Sequence, residues 1–193
     1  MEEKLFQDKY RIKSTRLPNW DYSWDGFYYA TICTKYWIEW FGKINDENMF
    51  LSPFGAIVES CWRMIPEHFP FVTLDEYVIM PNHVHGVIRI LKSQNDSAMV
   101  ETQDFASLHP AKPLNKFGPQ SRNLASIIRG FKIGVTKWAR NNGCADFQWQ
   151  QRFYDHVVRD QNDLERIRHY IQTNPERWCR DRNNFANEFK FHD

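Results

Sequence analysis

The feature that most constrains this chain is a strand-like run, residues 77–90, that carries two histidines. Its sequence, Tyr-Val-Ile-Met-Pro-Asn-His-Val-His-Gly-Val-Ile-Arg-Ile, is rich in β-branched residues and is interrupted by Pro81 and Asn82. Side chains alternate along a strand, so His83 and His85 share one face. Two imidazoles side by side on a rigid strand make half of a metal site. Most histidines are surface or packed residues, so the rest of the chain has to support this interpretation.

The size and composition predict one compact domain without a membrane anchor. The chain has 193 residues and a net charge of +1, so its charge does not indicate an acidic partner. Its four cysteines are widely spaced and form no Cys-x-x-Cys pair, which argues against a zinc ribbon or a redox motif. No stretch approaches the ~20 apolar residues that span a bilayer. No apolar leader follows Met1, so we expect a cytoplasmic location and free thiols.

The hydrophobic patterning predicts five strands and three helices in the order β-β-α-β-β-α-β-α. The turn-prone Pro81–Asn82 pair joins two strands as a tight antiparallel hairpin, which places the histidines at the start of a central strand. The order indicates an α+β fold, an antiparallel sheet backed by helices. The predicted strands are residues 27–34, 37–44, 71–80, 82–90 and 147–159, and the predicted helices are residues 53–64, 122–141 and 163–173.

The patterning also divides the chain into a domain with two flanking segments. Residues 1–26 mix basic and aromatic residues and are interpreted as an N-terminal arm, either gripping nucleic acid or wrapped on its own domain. Residues 27–178 form the predicted catalytic domain, and residues 179–193 a polar C-terminal tail. Within the domain, about residues 92–120 lack periodicity and predict a long, partly flexible loop.

The last predicted helix carries a second group of polar residues. Tyr170 and Asn174 lie four residues apart and project from the same face, with Arg166 one turn earlier. A phenol facing two histidines can attack a phosphodiester if a metal polarises the phosphate. Two imidazoles and an amide oxygen suit Mg²⁺ or Mn²⁺. Alternatively, Tyr170 packs against the sheet and Asn174 caps the helix; Tyr154 competes as the nucleophile.

Several motifs, taken in order along the chain, resemble those of one protein family. The Val-Ile-Met-Pro-Asn-His-Val-His-Gly block is similar to the His-hydrophobic-His block of the single-tyrosine transposases of single-stranded DNA. The closest resemblance is to the REP-associated tyrosine transposases, and it covers about residues 10–178. The matching segments are Arg16–Ser23, Tyr29–Thr34, Val78–Gly86, Leu124–Lys132, Val135–Lys137, Trp149–Arg159 and Leu164–Pro175.

The resemblance implies a fold and a chemistry. The fold is a ferredoxin-like or RRM-like antiparallel sheet backed by helices, of the HUH endonuclease type. His83, His85 and Asn174 match the ligands of a divalent ion, and Tyr170 matches the nucleophile. In the family the tyrosine cleaves and rejoins single-stranded DNA through a 5′-phosphotyrosine intermediate, and no nucleotide cofactor is used.

The resemblance also suggests partners and alternatives. The expected partner is single-stranded hairpin DNA of the REP type, bound by a nucleoid-associated monomer or homodimer. Candidate DNA contacts are Arg129 and Lys132 on the basic face of one helix, and Arg166. A histidine-triad hydrolase is rejected because position 87 is valine. A rolling-circle relaxase is a distant alternative, and a non-catalytic, domesticated binder of structured single-stranded nucleic acid is the main rival.

Overall fold

The computed structural model describes residues 17, 20–91 and 122–184 of the chain. Two short 3₁₀ turns, Lys35–Trp37 and Pro175–Arg180, accompany the main elements. Among the described residues, none of the helices combines the length and the apolar character needed to cross a bilayer. The elements are β1 (Gly26–Cys33), β2 (Gly42–Asn45), β3 (Asn48–Leu51), α1 (Pro53–Arg63), α2 (Ile65–His68), β4 (Val72–Met80), β5 (His83–Ile90), α3 (Leu124–Asn141), β6 (Tyr154–Val157) and α4 (Gln161–Gln172).

The main sheet has four strands in the order β4-β5-β1-β6, and all neighbouring strands are antiparallel. Strands β1, β4, β5 and β6 with helices α1 and α3 follow each other as β-α-β-β-α-β, the ferredoxin-like arrangement. The predicted α+β fold is therefore confirmed. The predicted hairpin is also confirmed, because β4 and β5 pair directly around Pro81 and Asn82, and β5 is an inner strand.

The two faces of the sheet bury different side chains. Tyr28, Ala30 and Ile32 of β1 belong to the main core, to which the apolar residues of α1 and α3 also belong. The alternate residues of the same strand point the other way, and Tyr29 joins a second, smaller cluster with Val87 of β5 and the apolar side of α4. Helix α4 therefore lies on the face opposite α1 and α3.

Gly86 lets the largest fully buried side chain lie directly on the sheet. A Cβ atom at position 86 would lie 2.2 Å from the Trp62 ring, so the indole occupies the space of the missing side chain. Helix α1 thereby packs closely against the strand that carries the histidines. The glycine that follows the second histidine in the sequence is thus explained by packing on the core face.

The predicted strand at residues 37–44 is wrong in extent and in place. Residues 35–37 form a 3₁₀ turn, in which Tyr36 and Trp37 have φ angles of 58° and 52°. Strand β2 begins only at Gly42 and pairs with the unpredicted β3 in a separate two-stranded sheet. In the turn between them, Asp46 and Glu47 have φ angles of 46° and 63°. Glycine is common at such positions of a hairpin turn, and this turn contains none, so the sequence did not indicate it.

The C-terminal elements also differ from the prediction. The strand predicted for residues 147–159 is reduced to Tyr154–Val157, and Trp149 makes only an isolated antiparallel bridge to Thr34 while its ring and that of Phe147 pack in the main core. Helix α4 begins at Gln161, and its N-cap is Asp160, whose carboxylate accepts the Asp163 N–H at 2.8 Å. The helix predicted for residues 163–173 therefore begins two residues earlier than expected.

The predicted domain limits stay a prediction. Most of the predicted arm, the predicted loop and the residues after 184 lie outside the described residues. In the described part of the arm, Trp20 and Tyr22 pack against the main core. In the described part of the tail, Asn183 and Asn184 are buried. The described residues of the predicted arm and of the predicted tail thus pack against the domain between them.

Replacing Gly86 by alanine should destabilise the protein, because the new methyl group overlaps the Trp62 ring. We expect a loss of about 1–3 kcal/mol in the free energy of unfolding, measured by urea denaturation. Gly134→Ala is the matched control, since nothing lies within 4 Å of a Cβ atom there and alanine favours the helix. Equal stability of the two variants would contradict the packing role of Gly86.

Candidate metal and nucleophile site

The two histidines lie side by side in a buried position at the start of β5. His83 and His85 are 0% and 1% exposed, and their Nε2 atoms lie 2.9 Å apart. Two nitrogen ligands of one ion, each at about 2.1 Å and roughly at right angles, would be about 3 Å apart. The spacing of the two Nε2 atoms therefore fits a shared metal ion.

Both imidazoles are held in the neutral form. Burial, and then the positive charge of Arg182, lower the pKa of His83 to about 3. Burial lowers the pKa of His85 well below its usual value, assisted by His83 and Arg182. Neutral imidazoles keep the lone pair that a metal ligand needs.

The side chain of Asn82 fixes the proton of His83. The Asn82 amide nitrogen donates to the backbone oxygens of Trp37 and Asn183 at 2.9 and 2.7 Å. Its Oδ1 must then be the atom that lies 2.8 Å from His83 Nδ1, and it accepts the Nδ1–H. His83 Nε2 is therefore unprotonated and directed at His85.

Two hydroxyl groups adjoin the other histidine. Tyr29 Oη and Thr31 Oγ1 lie 2.7 and 2.9 Å from His85 Nδ1, and Thr31 donates to Tyr29 at 3.1 Å. Because His83 Nε2 carries no proton, His85 Nε2–H donates to it, and Tyr29 O–H donates to His85 Nδ1. If His85 were to hold a metal through Nε2, its ring proton would be on Nδ1, and the Tyr29 oxygen could accept a hydrogen bond from it.

Two side chains are candidates for the third metal ligand. A carboxylate oxygen of Asp181 and the ligand atoms of His83 and His85 all lie within 4.8 Å of one another. Asn174 is 1% exposed, and its side chain makes no hydrogen bond of good geometry among the described residues, although the amide lies close enough to Tyr170 to offset part of the rise in the pKa of that phenol. A buried amide whose hydrogen-bonding capacity is not used up is typical of a site that takes a further group. The donor set and this amide therefore fit a metal ion.

Asp181 is the site residue that sequence reasoning missed. It lies in the predicted tail, eleven residues after Tyr170, and no motif or periodicity marks it. The chain brings it back through the 3₁₀ turn Pro175–Arg180, which packs Trp178 at 6.0 Å from the His83 ring, between ring centroids. Only the tertiary fold places this carboxylate beside the histidines.

Helix α4 places Tyr170 next to the histidines of its own chain. The centroids of the Tyr170 and His85 rings are 5.3 Å apart. Arg168 donates two hydrogen bonds to Asp75 of β4, at 2.7 and 2.6 Å, and so ties the helix to the sheet. Burial, followed by the charge of Asp181, raises the pKa of the Tyr170 phenol, which is therefore protonated at neutral pH.

Two cavities adjoin Tyr170. The mixed-charge cavity, of about 800 Å³, is lined by Asn174, by three carboxylate side chains and by three arginines; the charged residues are Glu47, Glu176, Asp181, Arg177, Arg180 and Arg182. The tyrosine cavity, of about 510 Å³, is bounded by aromatic and basic side chains, and Arg177 and Arg182 border both cavities. The tyrosine cavity is lined by Tyr29, Tyr154, His156, Arg166, Ile167, His169, Tyr170, Arg177 and Arg182.

The predicted DNA contacts lie in two different places. Arg166 borders the tyrosine cavity and pairs with Asp163. Arg129 and Lys132 instead line a third cavity, on α3, which belongs to the opposite layer of the fold. The Lys132 ammonium donates to the backbone oxygens of Gln150 and Arg152, and burial lowers its pKa to about 8.

Known proteins are similar to this chain over most of its length. A Haemophilus influenzae protein with the name "Uncharacterized protein" is 40% identical over 169 residues, which cover 88% of this chain and 91% of that protein. A second protein of the same organism, "Putative REP-associated tyrosine transposase", is 26% identical over 155 residues, covering 80% of this chain and 73% of that protein. No protein-family model matches the chain.

A solved structure is similar in fold. It is described as "Structure of the REP associates tyrosine transposase bound to a REP hairpin", with a TM-score of 0.50 and 17% identity, and the match covers 79% of this chain and 68% of that chain. The sheet order and the paired histidines on an inner strand define an α+β domain of the HUH endonuclease type. The chain is therefore similar in sequence to a protein named as a putative REP-associated tyrosine transposase, and similar in fold to a solved transposase of that name.

Acid should destabilise the metal-free protein through the buried histidines. Their folded pKa values lie below the ordinary value of about 6.5, so the unfolded chain binds protons first. This stability is complete above pH about 6.5 and is lost as the pH falls toward the folded pKa of about 3. We expect the free energy of unfolding to fall by up to about 1.4 kcal/mol per pH unit and histidine.

Urea denaturation in EDTA between about pH 7 and pH 4.5 measures this slope, within the range of ordinary and folded imidazole pKa values. His83→Asn should flatten it, whereas replacing the exposed His68 by asparagine should not. An unchanged slope in His83→Asn would show that the buried imidazole is not the group that takes up the proton.

Removing the Tyr29 hydroxyl should weaken metal binding, because His85 loses an acceptor for its Nδ1–H. We expect Mn²⁺ to bind about tenfold more weakly to Tyr29→Phe, measured by calorimetry without DNA. Tyr28→Phe is the matched control, since this neighbouring hydroxyl donates to the Trp24 backbone oxygen on the other face. If both variants bind Mn²⁺ like the unmodified chain, Tyr29 does not orient His85.

Proposed function

We propose that this chain is a metal-dependent transposase-like endonuclease and strand transferase of single-stranded DNA, with Tyr170 as the nucleophile. The observation that carries the proposal is the meeting of Tyr170 with the buried histidine pair inside one chain, at 5.3 Å between the Tyr170 and His85 ring centroids. A phenol packed for structural reasons alone does not require two neutral imidazoles, a buried amide and a carboxylate around it. The similarity to proteins named as REP-associated tyrosine transposases supports the same chemistry.

The proposed reaction exchanges one phosphodiester for another. The Tyr170 oxygen attacks the phosphorus, an O–P bond to tyrosine forms, and the bond from phosphorus to the 3′-oxygen breaks. The phenol proton is lost, the released 3′-oxygen ends as a hydroxyl, and the 5′-phosphate remains on the tyrosine. Because the link to tyrosine keeps the energy of the broken bond, the 3′-hydroxyl of another strand can reverse the step without a nucleotide cofactor.

The residues that would hold the metal are His83, His85 and either Asp181 or Asn174. We propose Mg²⁺ or Mn²⁺, because the set contains oxygen and imidazole ligands and no thiolate. Such an ion, when bound, draws charge from a phosphate oxygen and so makes the phosphorus easier to attack. The protonated state of Tyr170 makes help of this kind necessary, since the phenol is a poor nucleophile.

The proposed substrate is single-stranded DNA that contains a hairpin of the REP type. The solved relative is described as bound to a REP hairpin, which supports this substrate class. Arg166, beside Tyr170, is a candidate contact for the strand being cut, and Arg129 and Lys132 on α3 are candidates for a more distant part of the DNA. All site residues come from one chain, so a monomer can act, although a homodimer stays a prediction.

The rival proposal is a domesticated protein that binds structured single-stranded nucleic acid without cutting it. One observation favours it: burial raises the pKa of Tyr170, so the phenol is inert unless another group activates the phosphate. One observable product distinguishes the two proposals. Only the enzyme leaves a covalent link between the protein and the 5′-phosphate of the DNA.

Incubation with a hairpin oligonucleotide and Mn²⁺ should give a covalent protein–DNA band on a denaturing gel. Tyr170→Phe removes the attacking oxygen, so we expect the band to disappear while hairpin binding persists. Tyr154→Phe, which tests the competing tyrosine, should keep the band. Tight binding by the unmodified chain with no band at all would favour the rival proposal, and loss of the band only in Tyr154→Phe would reassign the nucleophile.

The third ligand can be identified from metal affinity. His83→Ala should abolish the covalent band and leave hairpin binding largely intact, because it removes a ligand without touching the DNA-facing surface. Asp181→Asn should weaken Mn²⁺ binding by about tenfold or more if the carboxylate is the third ligand. If the Asn174 amide is the third ligand instead, Asn174→Ala should cause the same loss of Mn²⁺ affinity. Mn²⁺ affinity that survives in His83→Ala would show that the metal binds elsewhere.

A further inference from the structure

The two cavities beside Tyr170 differ in charge. In the mixed-charge cavity three carboxylates offset three arginines, whereas the described lining of the tyrosine cavity contains arginines and no carboxylate. Near the tyrosine cavity, Asp163 pairs with Arg166 and His156 and offsets their charge. The positive charge of the cavity therefore comes mainly from Arg177 and Arg182. A DNA strand repels carboxylates and is attracted by arginines. The strand next to the scissile phosphate therefore favours the tyrosine cavity.

The tyrosine cavity also offers an aromatic surface to a base. Tyr154 lies on β6, an edge strand of the sheet, and is 40% exposed, and it lines the tyrosine cavity. Its ring packs edge-on against Tyr29, with 6.2 Å between centroids, and Tyr29 in turn packs edge-on against Tyr170. Tyr154 is thus separated from the nucleophile by a single side chain.

A cation already covers the exposed ring. The Arg182 guanidinium lies 5.8 Å from the centroid of Tyr154. Flat guanidinium groups and aromatic rings both stack on nucleobases, and the side chain of Arg182 is exposed at the surface. A base can therefore take the place of the guanidinium on Tyr154, and the displaced arginine can then reach the adjoining phosphate.

We propose that Tyr154 is the stacking platform for one unpaired nucleotide that adjoins the phosphate attacked by Tyr170. The proposal rests on the proposed function of the site and adds the place where the cut strand is held. Stacking does not depend on base identity, so this contact positions the strand without selecting its sequence. It also gives the exposed tyrosine of the edge strand a role that the attack itself does not require.

The test is a double-mutant cycle on binding, made in the Tyr170→Phe background so that no cleavage interferes. Hairpin oligonucleotides with an unpaired flank are prepared with an abasic sugar at each flank position in turn, and their affinity is measured by fluorescence anisotropy. At one position we expect the abasic sugar to weaken binding by about tenfold. Adding Tyr154→Leu should weaken binding of the intact oligonucleotide by a similar factor.

The decisive result is the combination. With Tyr154→Leu present, the abasic sugar at that position should cause no further loss, because both changes remove the same contact. Tyr154→Phe keeps the ring and should bind normally, and Tyr36→Leu, at an exposed tyrosine outside the cavity, should keep the penalty of the abasic sugar. The sensitive nucleotide should adjoin the phosphate that is linked to Tyr170 in the unmodified protein.

Additive losses at every position, or full affinity of Tyr154→Leu, would overturn the stacking role. Because affinity is measured without cleavage, this failure is distinct from that of the proposed reaction, which is read from the covalent band alone. A chain that binds no hairpin oligonucleotide would overturn both proposals.

Discussion

The alternation of side chains along β5 is the constraint on which the rest of the structure depends. One face of this strand carries His83 and His85 into the candidate site, and the other presents Gly86, against which Trp62 packs. A shift of one residue in the pairing of β5 with its neighbours would exchange the two faces. The main core and the site are therefore specified together, and a tightly packed core holds the ligands in place.

Hydrogen bonds from neighbouring side chains fix the ring orientation of each imidazole, so that the Nε2 atoms of the two rings face each other. The amide of Asn82 links three separate segments, the turn after β1, the start of β5 and the residues after α4, and leaves His83 Nε2 free for a metal. The Tyr29 hydroxyl can serve His85 either as donor or as acceptor. The rest of the site arrives from α4, which the Arg168–Asp75 pair ties to the sheet. The candidate ligands and Tyr170 therefore meet through rigid elements.

The sequence predicted what short spacings determine. The position of the histidines on an inner strand, the turn at Pro81 and the approach of the Tyr170 helix to the histidines all agree with the structure. The sequence did not predict contacts that depend on the register between strands, or contacts made where the chain folds back after α4. Thr31 faces His85 only because β1 and β5 pair in one register, and Asp181 joins the site only after a 3₁₀ turn folds back. The roles of these residues stay proposals.

The measurement that tests the central claim most directly is the position of the covalent link. After reaction with a hairpin oligonucleotide and Mn²⁺, digestion by trypsin and nuclease followed by mass spectrometry identifies the peptide that carries a nucleotide. We expect a 5′-phosphonucleotide on the oxygen of Tyr170, in the peptide of residues 169–177. A nucleotide on any other tyrosine, or hairpin binding without any modified peptide, would contradict it.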